Sequence, residues 1–309
     1  MTSTPSDDKD DPRADASSLD VQNLAAKQRF KLTRVGVTGV KKPIVVKRPW
    51  GKVTLNAGID VYVDLPSTMK GSHMSRNVEV TGEVVDKSVR EPVESLEKLT
   101  SEMCDILLQR HEYASYSEVD IRADYFLERE SPLGRKSLEN YEIRAKTEAL
   151  KGEKKRTYIG VTVVGLNACP CAMETVKEYY KESHPEHKEC IEALPFLTHN
   201  QRNISTVMIE VPDGKNVEVN DLIDITESSL SSPTREILKR QDEARIVIGA
   251  HENPKFVEDV VRDILARILE KYDDFPDETH ISVKSESEES IHKHNAFAER
   301  VTTFGELRE

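Results

Sequence analysis

The chain is predicted to be α+β, with antiparallel sheets that carry helices on one face, built twice in succession. Three observations predict it. Alternating or continuous runs of Val, Ile and Leu recur in both halves of the 309-residue chain, the pattern of half-buried or buried strands. Two stretches, 93–107 and 257–272, carry apolar residues at helical spacing instead. The order of strand, long amphipathic helix and alternating strand then comes round twice. His73-Met74-Ser75-Arg76-Asn77 and His199-Asn200-Gln201-Arg202-Asn203 are each read as opening a strand.

Residues 1–29, rich in Asp, Ser, Lys and Pro, read as a disordered acidic tail. A first module over 30–152 begins with β-rich sequence from Val35, punctuated by Pro49, Gly51 and Pro66. The stretch after Lys70 leads to a strand at Val78-Glu79-Val80. Pro92 suits a first helical turn, so a helix is expected over 92–110, its apolar face including Leu96, Leu99, Met103 and Leu107. Strands follow over 119–127 and 141–149, and Gly152 marks the boundary. In the second module, 153–309, a strand over 157–164 runs towards Cys169-Pro170-Cys171. Proline cannot continue a central ladder, so a loop presenting both thiols is expected there. A charged helix over 173–194, a strand over 204–211, short helices over 221–239 and a strand over 244–250 come next. Asn253-Pro254 reads as cap and first turn of the clearest helix, and a strand over 280–285 leads to His292 and His294.

The hydrophobic share, 37%, is enough for a sizeable core at this length. No window approaches the roughly eighteen apolar residues of a membrane span, and no basic-then-apolar leader opens the chain. A cytoplasmic protein is expected, with no membrane partner. The net charge of −12 argues against a general nucleic-acid binder. It also means that an anionic substrate needs a locally basic pocket. Four cysteines, Cys104, Cys169, Cys171 and Cys190, are too few for a disulfide scaffold. In a reducing compartment the close pair reads as metal-binding or catalytic.

Chemistry-bearing residues gather in a few stretches. A Cys-x-Cys turn can offer one thiolate to a metal and keep the other for proton transfer, and residue type does not say which. His199 precedes a run of hydrogen-bonding side chains, and Arg202 or Arg76 can fork onto phosphate or carboxylate. Glu258 falls at ~100° per residue within the apolar arc of its helix. There it needs donors such as a purine edge, or else serves the helix N-terminal dipole. Asp242 and Glu243 divide between salt bridge and ligand in an order that spacing leaves open. Glu289, His292 and His294 offer acid–base groups near neutrality. His184 and His187 read as surface residues of an inserted helix.

At these residues the chain resembles the GTP cyclohydrolases of type IB and their archaeal methanopterin-pathway relatives, the MptA-like or type IV branch. The matching stretches are Lys70-Gly71-Ser72-His73-Met74-Ser75-Arg76, Cys169-Pro170-Cys171, His199-Asn200-Gln201-Arg202, Lys239-Arg240-Gln241-Asp242-Glu243, Asn253-Pro254-Lys255-Phe256-Val257-Glu258 and Glu289-Ser290-Ile291-His292-Lys293-His294-Asn295. The resemblance implies two tandem tunnelling-fold (T-fold) modules, the second carrying most of the metal site. It also implies GTP as substrate and a homo-oligomer, dimer or tetramer, with sites at subunit interfaces. Cys169, His199 and Glu243 would hold a divalent metal, Fe(2+) first, with Zn(2+) or Mn(2+) as alternatives. Glu258 would hold the guanine edge. Cys169, Cys171, Glu289, His292 and His294 would be catalytic, the last four by moving protons. Arg76 and Arg202, with His73, would lie near ribose or triphosphate.

The implied reaction is attack of a metal-activated water on C8, ring opening and loss of formate. The archaeal branch yields 7,8-dihydroneopterin 2′,3′-cyclic phosphate, the type IB enzyme 7,8-dihydroneopterin triphosphate. The long charged segment between Cys171 and His199 looks like the archaeal branch. Two rivals stand in other classes. A nitrile reductase of the same fold would use a cysteine nucleophile and NADPH, leaving His199 and Glu243 idle. A non-enzymatic purine- or pterin-binding module would give the thiols no task.

Overall fold

Strand pairing follows chain order almost throughout the structure, a computed structural model that describes residues 21–48, 51–194 and 196–309. Strands β1 (Leu32–Arg48) and β2 (Gly51–Leu65) form a hairpin, and helices α1 (Met74–Arg90) and α2 (Leu96–Arg110) follow. The hairpin β3 (Tyr116–Glu130) and β4 (Lys136–Leu150) completes the first half. Strand β5 (Arg156–Ala168) leads into α3 (Pro170–Ser183) and α4 (Lys188–Ala193), and β6 (Asn200–Glu210) returns. Then come α5 (Val219–Ser229), the two-residue β7 (Ser232–Pro233), α6 (Arg240–Glu252) and α7 (Val257–Lys271). Strands β8 (His280–Glu288) and β9 (Ala296–Thr303) and the short α8 (Phe304–Arg308) close the chain.

All strands join one antiparallel sheet in the order β1-β2-β3-β4-β5-β6-β8-β9, with β7 added to β5. Two strands, two principal helices and two strands therefore occur twice in succession, which matches the expected α+β repetition. The core lies on one face of the sheet. Ile59, Ile121, Ala145, Ile159, Ile209 and Ile281 sit opposite one another across six strands. Each is at most 1% exposed, and all join one cluster with residues of α1, α2, α5 and α7. The opposite face is charged: Asp120 pairs with Arg122 and Arg144, and Glu118 with Arg34 and Lys146.

Several expected elements differ. Residues 73–80 start α1 rather than a strand, because Asn77, Val80, Thr81, Val84, Val85 and Ser88 form one buried helical face. The two His-x-x-Arg-Asn runs thus occupy different positions, one at a helix start and the other at the start of β6. Helix α2 begins at Leu96 under a Ser95 cap, since Val93 is drawn into a bridge with Val46 of β1. Residues 244–250, β-branched and read as a strand, lie inside α6, where Ala250 and His251 are buried. Asn253 and Pro254 precede α7 without starting it. The Asp259 carboxylate accepts from Phe256 N at 3.0 Å and sets the first turn at Val257. The expected helix over 173–194 is two helices broken at His184-Pro185, and β9 was not anticipated. Of the expected tail, residues 1–20 lie outside the described residues. Val21–Asn23 form a 3-10 turn whose Gln22 carbonyl accepts from Lys70 N and Gly71 N, both at 3.2 Å.

His111, at the end of α2, is fully buried. Its Nδ1 meets Tyr113 Oη at 2.8 Å and its Nε2 meets Asn77 Oδ1 at 2.7 Å. Burial, helped by the charges of Arg76 and His73, lowers its pKa from 6.5 to about 4. The unfolded chain takes up a proton below 6.5 that the folded chain refuses until about 4. Stability from this group is therefore complete above that window and is lost as pH falls through it, by about 3 kcal/mol. Urea unfolding between pH 7 and pH 4.5 should show wild type losing stability more steeply than His111→Gln. Equal slopes would mean that the folded protein protonates His111 as readily as the unfolded chain.

Candidate active site

Strand β5 ends at Ala168, and the next residue caps α3. Cys169 Sγ accepts from Ala172 N at 3.5 Å, and Pro170 takes the first helical position, where its missing N–H costs nothing. The Cys-Pro-Cys stretch is thus a helix start, not a free loop. Cys169 N donates to the His199 carbonyl at 3.3 Å, tying the end of β5 to the chain entering β6. Lys255 N donates to the Ala168 carbonyl at 3.1 Å and brings the start of α7 alongside.

These ties open a cleft of about 430 Å³ whose walls include Cys169, His199, Gln201, Glu258, Glu289, His292 and His294. Gln201 organises its floor. Its Nε2 donates to Glu289 Oε1 at 3.2 Å, so its Oε1 faces His199 Nδ1 at 3.1 Å. A carbonyl oxygen only accepts, so His199 carries its proton on Nδ1 and keeps the Nε2 lone pair for a ligand. Glu289 Oε2 lies 3.8 Å from His199 Nδ1 and is buried without a hydrogen-bond partner. A buried carboxylate oxygen left in this way is a ready acceptor for a ligand N–H or O–H. His292 stacks on His294 at 5.1 Å and meets His199 edge-on at 6.4 Å. Behind Gln201, Asn203 Nδ2 donates to Ser285 Oγ and Ser287 Oγ, so the polar floor continues into the core.

A family model described as type I GTP cyclohydrolase folE2 matches residues 19–298. The chain belongs to that family. The protein described as GTP cyclohydrolase MptA from Methanosphaera stadtmanae is 42% identical over 302 residues, covering 94% of this chain and 96% of that one. The protein of the same description from Methanocaldococcus jannaschii is 40% identical over 301 residues, with the same coverage. Among solved structures, a hyper-thermostable uricase aligns with a TM-score of 0.50 at 8% identity, over 88% of this chain and 91% of that one. The uricase likeness concerns the fold alone.

Six of the expected site residues of this GTP cyclohydrolase share the cleft: Cys169, His199, Glu258, Glu289, His292 and His294. Five do not line it. Cys171 is exposed two residues into α3, ~200° around the helix from Cys169. Arg202 is exposed on β6 and, by strand alternation, points to the face opposite Gln201. His73 and Arg76 begin α1 in the first half, where Arg76 Nη1 donates to the Arg110 carbonyl at 2.9 Å. Glu243 is exposed in the first turn of α6, in a separate cleft with Arg135, Lys239 and Arg240. His251, at the far end of that helix, contacts the Thr198 carbonyl at 3.1 Å. Eight residues of helix, ~12 Å, separate Glu243 from it. Among the described residues no three His, Cys, Asp or Glu side chains of one chain are grouped to hold a metal. Thiol, imidazole and an orphaned carboxylate oxygen suit a divalent ion chemically, but one chain assembles only part of the expected ligand set.

Asp242 is the salt-bridge member of its pair, fully buried and joined to Leu133 N at 3.0 Å and Arg135 Nε at 3.3 Å. Glu258 is exposed rather than core-facing. At nearly the same azimuth as Leu265, which is buried two turns later, Glu258 opens onto the cleft. Gln201 stands out in the sequence only as part of a polar run, and Phe297, which also lines the cleft, carries no signal there. For Gln201→Leu, nitrogen chemical shifts of the metal-free protein should show His199 as a tautomer mixture where wild type shows Nδ1–H alone. A mixture already in wild type would dismiss the Gln201 contact as the device that sets the proton.

Proposed function

We propose that this GTP cyclohydrolase opens the guanine imidazole ring at the Cys169–His199–Glu289 cleft and releases formate. One water adds at C8 and the ring opens to a formamide; a second water cleaves the formamide. The observation that carries the reading is a thiol, an imidazole lone pair and an unpartnered buried carboxylate oxygen around one cavity. Glu258, exposed at the same cleft, is suited to accept from the guanine N1–H and 2-amine side by side. His292, His294 and Glu289, which line the same cleft, are suited to move protons between the waters and the ring nitrogens. Cys171, outside the cleft, joins them only if α3 shifts on binding.

We further propose a divalent metal, Fe(2+) first, held by Cys169 and His199 with Glu243 supplied by a second copy of the chain. Such an ion, when bound, acidifies a water near C8. The outer edge of β9 is unpaired among the described residues, and that of β1 is covered only at the Val46–Val93 bridge. Edges of this kind favour pairing between copies, in keeping with tandem T-fold modules in a dimer or tetramer. The cleft itself is poor in free cations, since Lys255 Nζ is paired with Asp263 at 2.6 Å. The triphosphate therefore has to meet basic groups elsewhere, and Arg76, His73 and Arg202, best supplied by a neighbouring copy, suit that task. The product we propose is 7,8-dihydroneopterin 2′,3′-cyclic phosphate, supported by the extent of similarity to the MptA proteins and by the α3–α4 insert. Unpaired thiols at Cys104, Cys169, Cys171 and Cys190 support a reducing, cytoplasmic setting.

Anaerobic protein with Fe(2+) and GTP should release formate, and the pterin should change its chromatographic retention only after treatment that opens the cyclic phosphate. A triphosphate product would shift the assignment to the type IB reaction. Cys169→Ala should lose roughly 10²- to 10⁴-fold in turnover while still binding guanosine, and full activity would remove Cys169 from the site. Mixed oligomers of Cys169→Ala and Glu243→Ala should regain activity that neither variant has alone. No recovery would place Glu243 outside a shared site.

A further inference from the structure

Outside the cleft, a buried polar cluster has no part in the chemistry above. Ser72, Asn77, His111 and Tyr113 are joined in series: Ser72 Oγ to Tyr113 Oη at 2.7 Å, Tyr113 Oη to His111 Nδ1 at 2.8 Å, and His111 Nε2 to Asn77 Oδ1 at 2.7 Å. We propose that this series is a positioning relay that sets segment 70–77 so that Arg76 meets the nucleotide's phosphates. The proposal rests on the reading that Arg76 contacts the triphosphate.

The direction of every proton follows from one amide. Asn77 Nδ2 contacts Met74 Sδ at 4.0 Å, so its Oδ1 is the atom turned to His111. An amide oxygen only accepts, which puts the imidazole proton on Nε2 and leaves a lone pair on Nδ1. The Tyr113 hydroxyl must then donate to Nδ1, and its oxygen accepts from Ser72. With the imidazole neutral, no alternative arrangement satisfies all four groups without turning the amide over. Ser72, Asn77 and His111 are 4% exposed or less, so an unmatched proton there would leave a polar atom without a partner.

The two ends of the relay, Ser72 and Asn77, bracket His73 and Arg76. The two middle members come from the turn after α2. Arg76 Nη1 donates to the carbonyl of Arg110, the residue before His111, so one turn holds the segment at three points. On the other side, Lys70 N donates to the Leu24 carbonyl at 2.8 Å. A guanidinium has five donors in a fixed fork, and its value to a phosphate depends on where that fork is held. Tyr113 and His111 touch no substrate in this reading; they act through Arg76.

Tyr113→Phe removes one hydroxyl and keeps the ring. In the Fe(2+)-loaded oligomer it should raise the GTP dissociation constant about tenfold and leave guanosine binding within about twofold, with KM rising and kcat nearly unchanged. Arg76→Ala should show the same selectivity for GTP. The double variant should be no weaker than Arg76→Ala alone, because the relay has nothing left to aim. Ser72→Ala, a milder change at the relay's end, should show the same GTP-selective loss if Tyr113→Phe does not fold. Equal weakening of GTP and guanosine, or additivity in the double variant, would reduce the cluster to ordinary structural support. An effect of Arg76→Ala without one from Tyr113→Phe and Ser72→Ala would overturn the relay alone. Unchanged GTP binding in Arg76→Ala would overturn the phosphate reading and the relay with it, while formate release by wild type would still hold the cyclohydrolase assignment.

Discussion

The register of β5, β6 and β8 is the constraint on which the site depends. Ala168 lies opposite Asn200, and Arg202 lies opposite Glu288. Cys169, His199 and Glu289 each follow or precede one of those paired residues, so three segments far apart in sequence end at the same rim of the sheet. A slip of one residue would turn Gln201 to the other face and separate the imidazole from the carboxylate. The long hydrophobic row across six strands resists that slip, because the same one-residue shift would expose it.

Polarity is arranged around that rim with few loose ends. Asn203, Ser205, Ser285 and Ser287 hydrogen-bond to one another and carry the polar floor towards the core. Asn167 and Thr198, flanking the cleft's entry strands, have buried polar atoms without partners, as Glu289 does. Native interiors leave few such groups; of these three, Glu289 lines the cleft, while Arg48, Tyr272 and Thr279 carry others away from it. Elsewhere the two halves of the chain are stitched by groups that are satisfied. Tyr141 Oη donates to Glu227, Arg235 pairs with Glu227, and Asp242 holds the β3–β4 turn. The first turn of α6, with exposed Glu243, is consequently fixed by contacts from the first half.

Incomplete sites and open edges belong together here. A carboxylate displayed away from the cleft and sheet edges without full partners would both be resolved by the association of copies proposed above. The charged face opposite the helices fits the same picture. Its ion pairs around Glu118 and Asp120 keep the centre of that sheet surface polar.

Much of the molecule was determined by sequence alone. Period-2 and period-3.6 patterns located most long strands and the helices α2 and α7, because those elements bury one continuous face. The matching motif stretches named Cys169, His199, Glu258, Glu289, His292 and His294, which share one cleft, and also Cys171, Glu243, His73, Arg76 and Arg202, which do not line it. Local signals failed where tertiary packing outweighed them: at 73–80 and 244–250, β-branched residues sit in helices whose buried faces repay the weak propensity. Pro170 ends the strand as the sequence implies, yet in the first helical position it also starts α3. Only the tertiary structure decided the proton on His199, the structural role of Asp242, the exposure of Glu258 and the relay through His111. Each depends on which atoms meet across the sheet or between the halves, and distances of that kind are set by packing, not by neighbours along the chain.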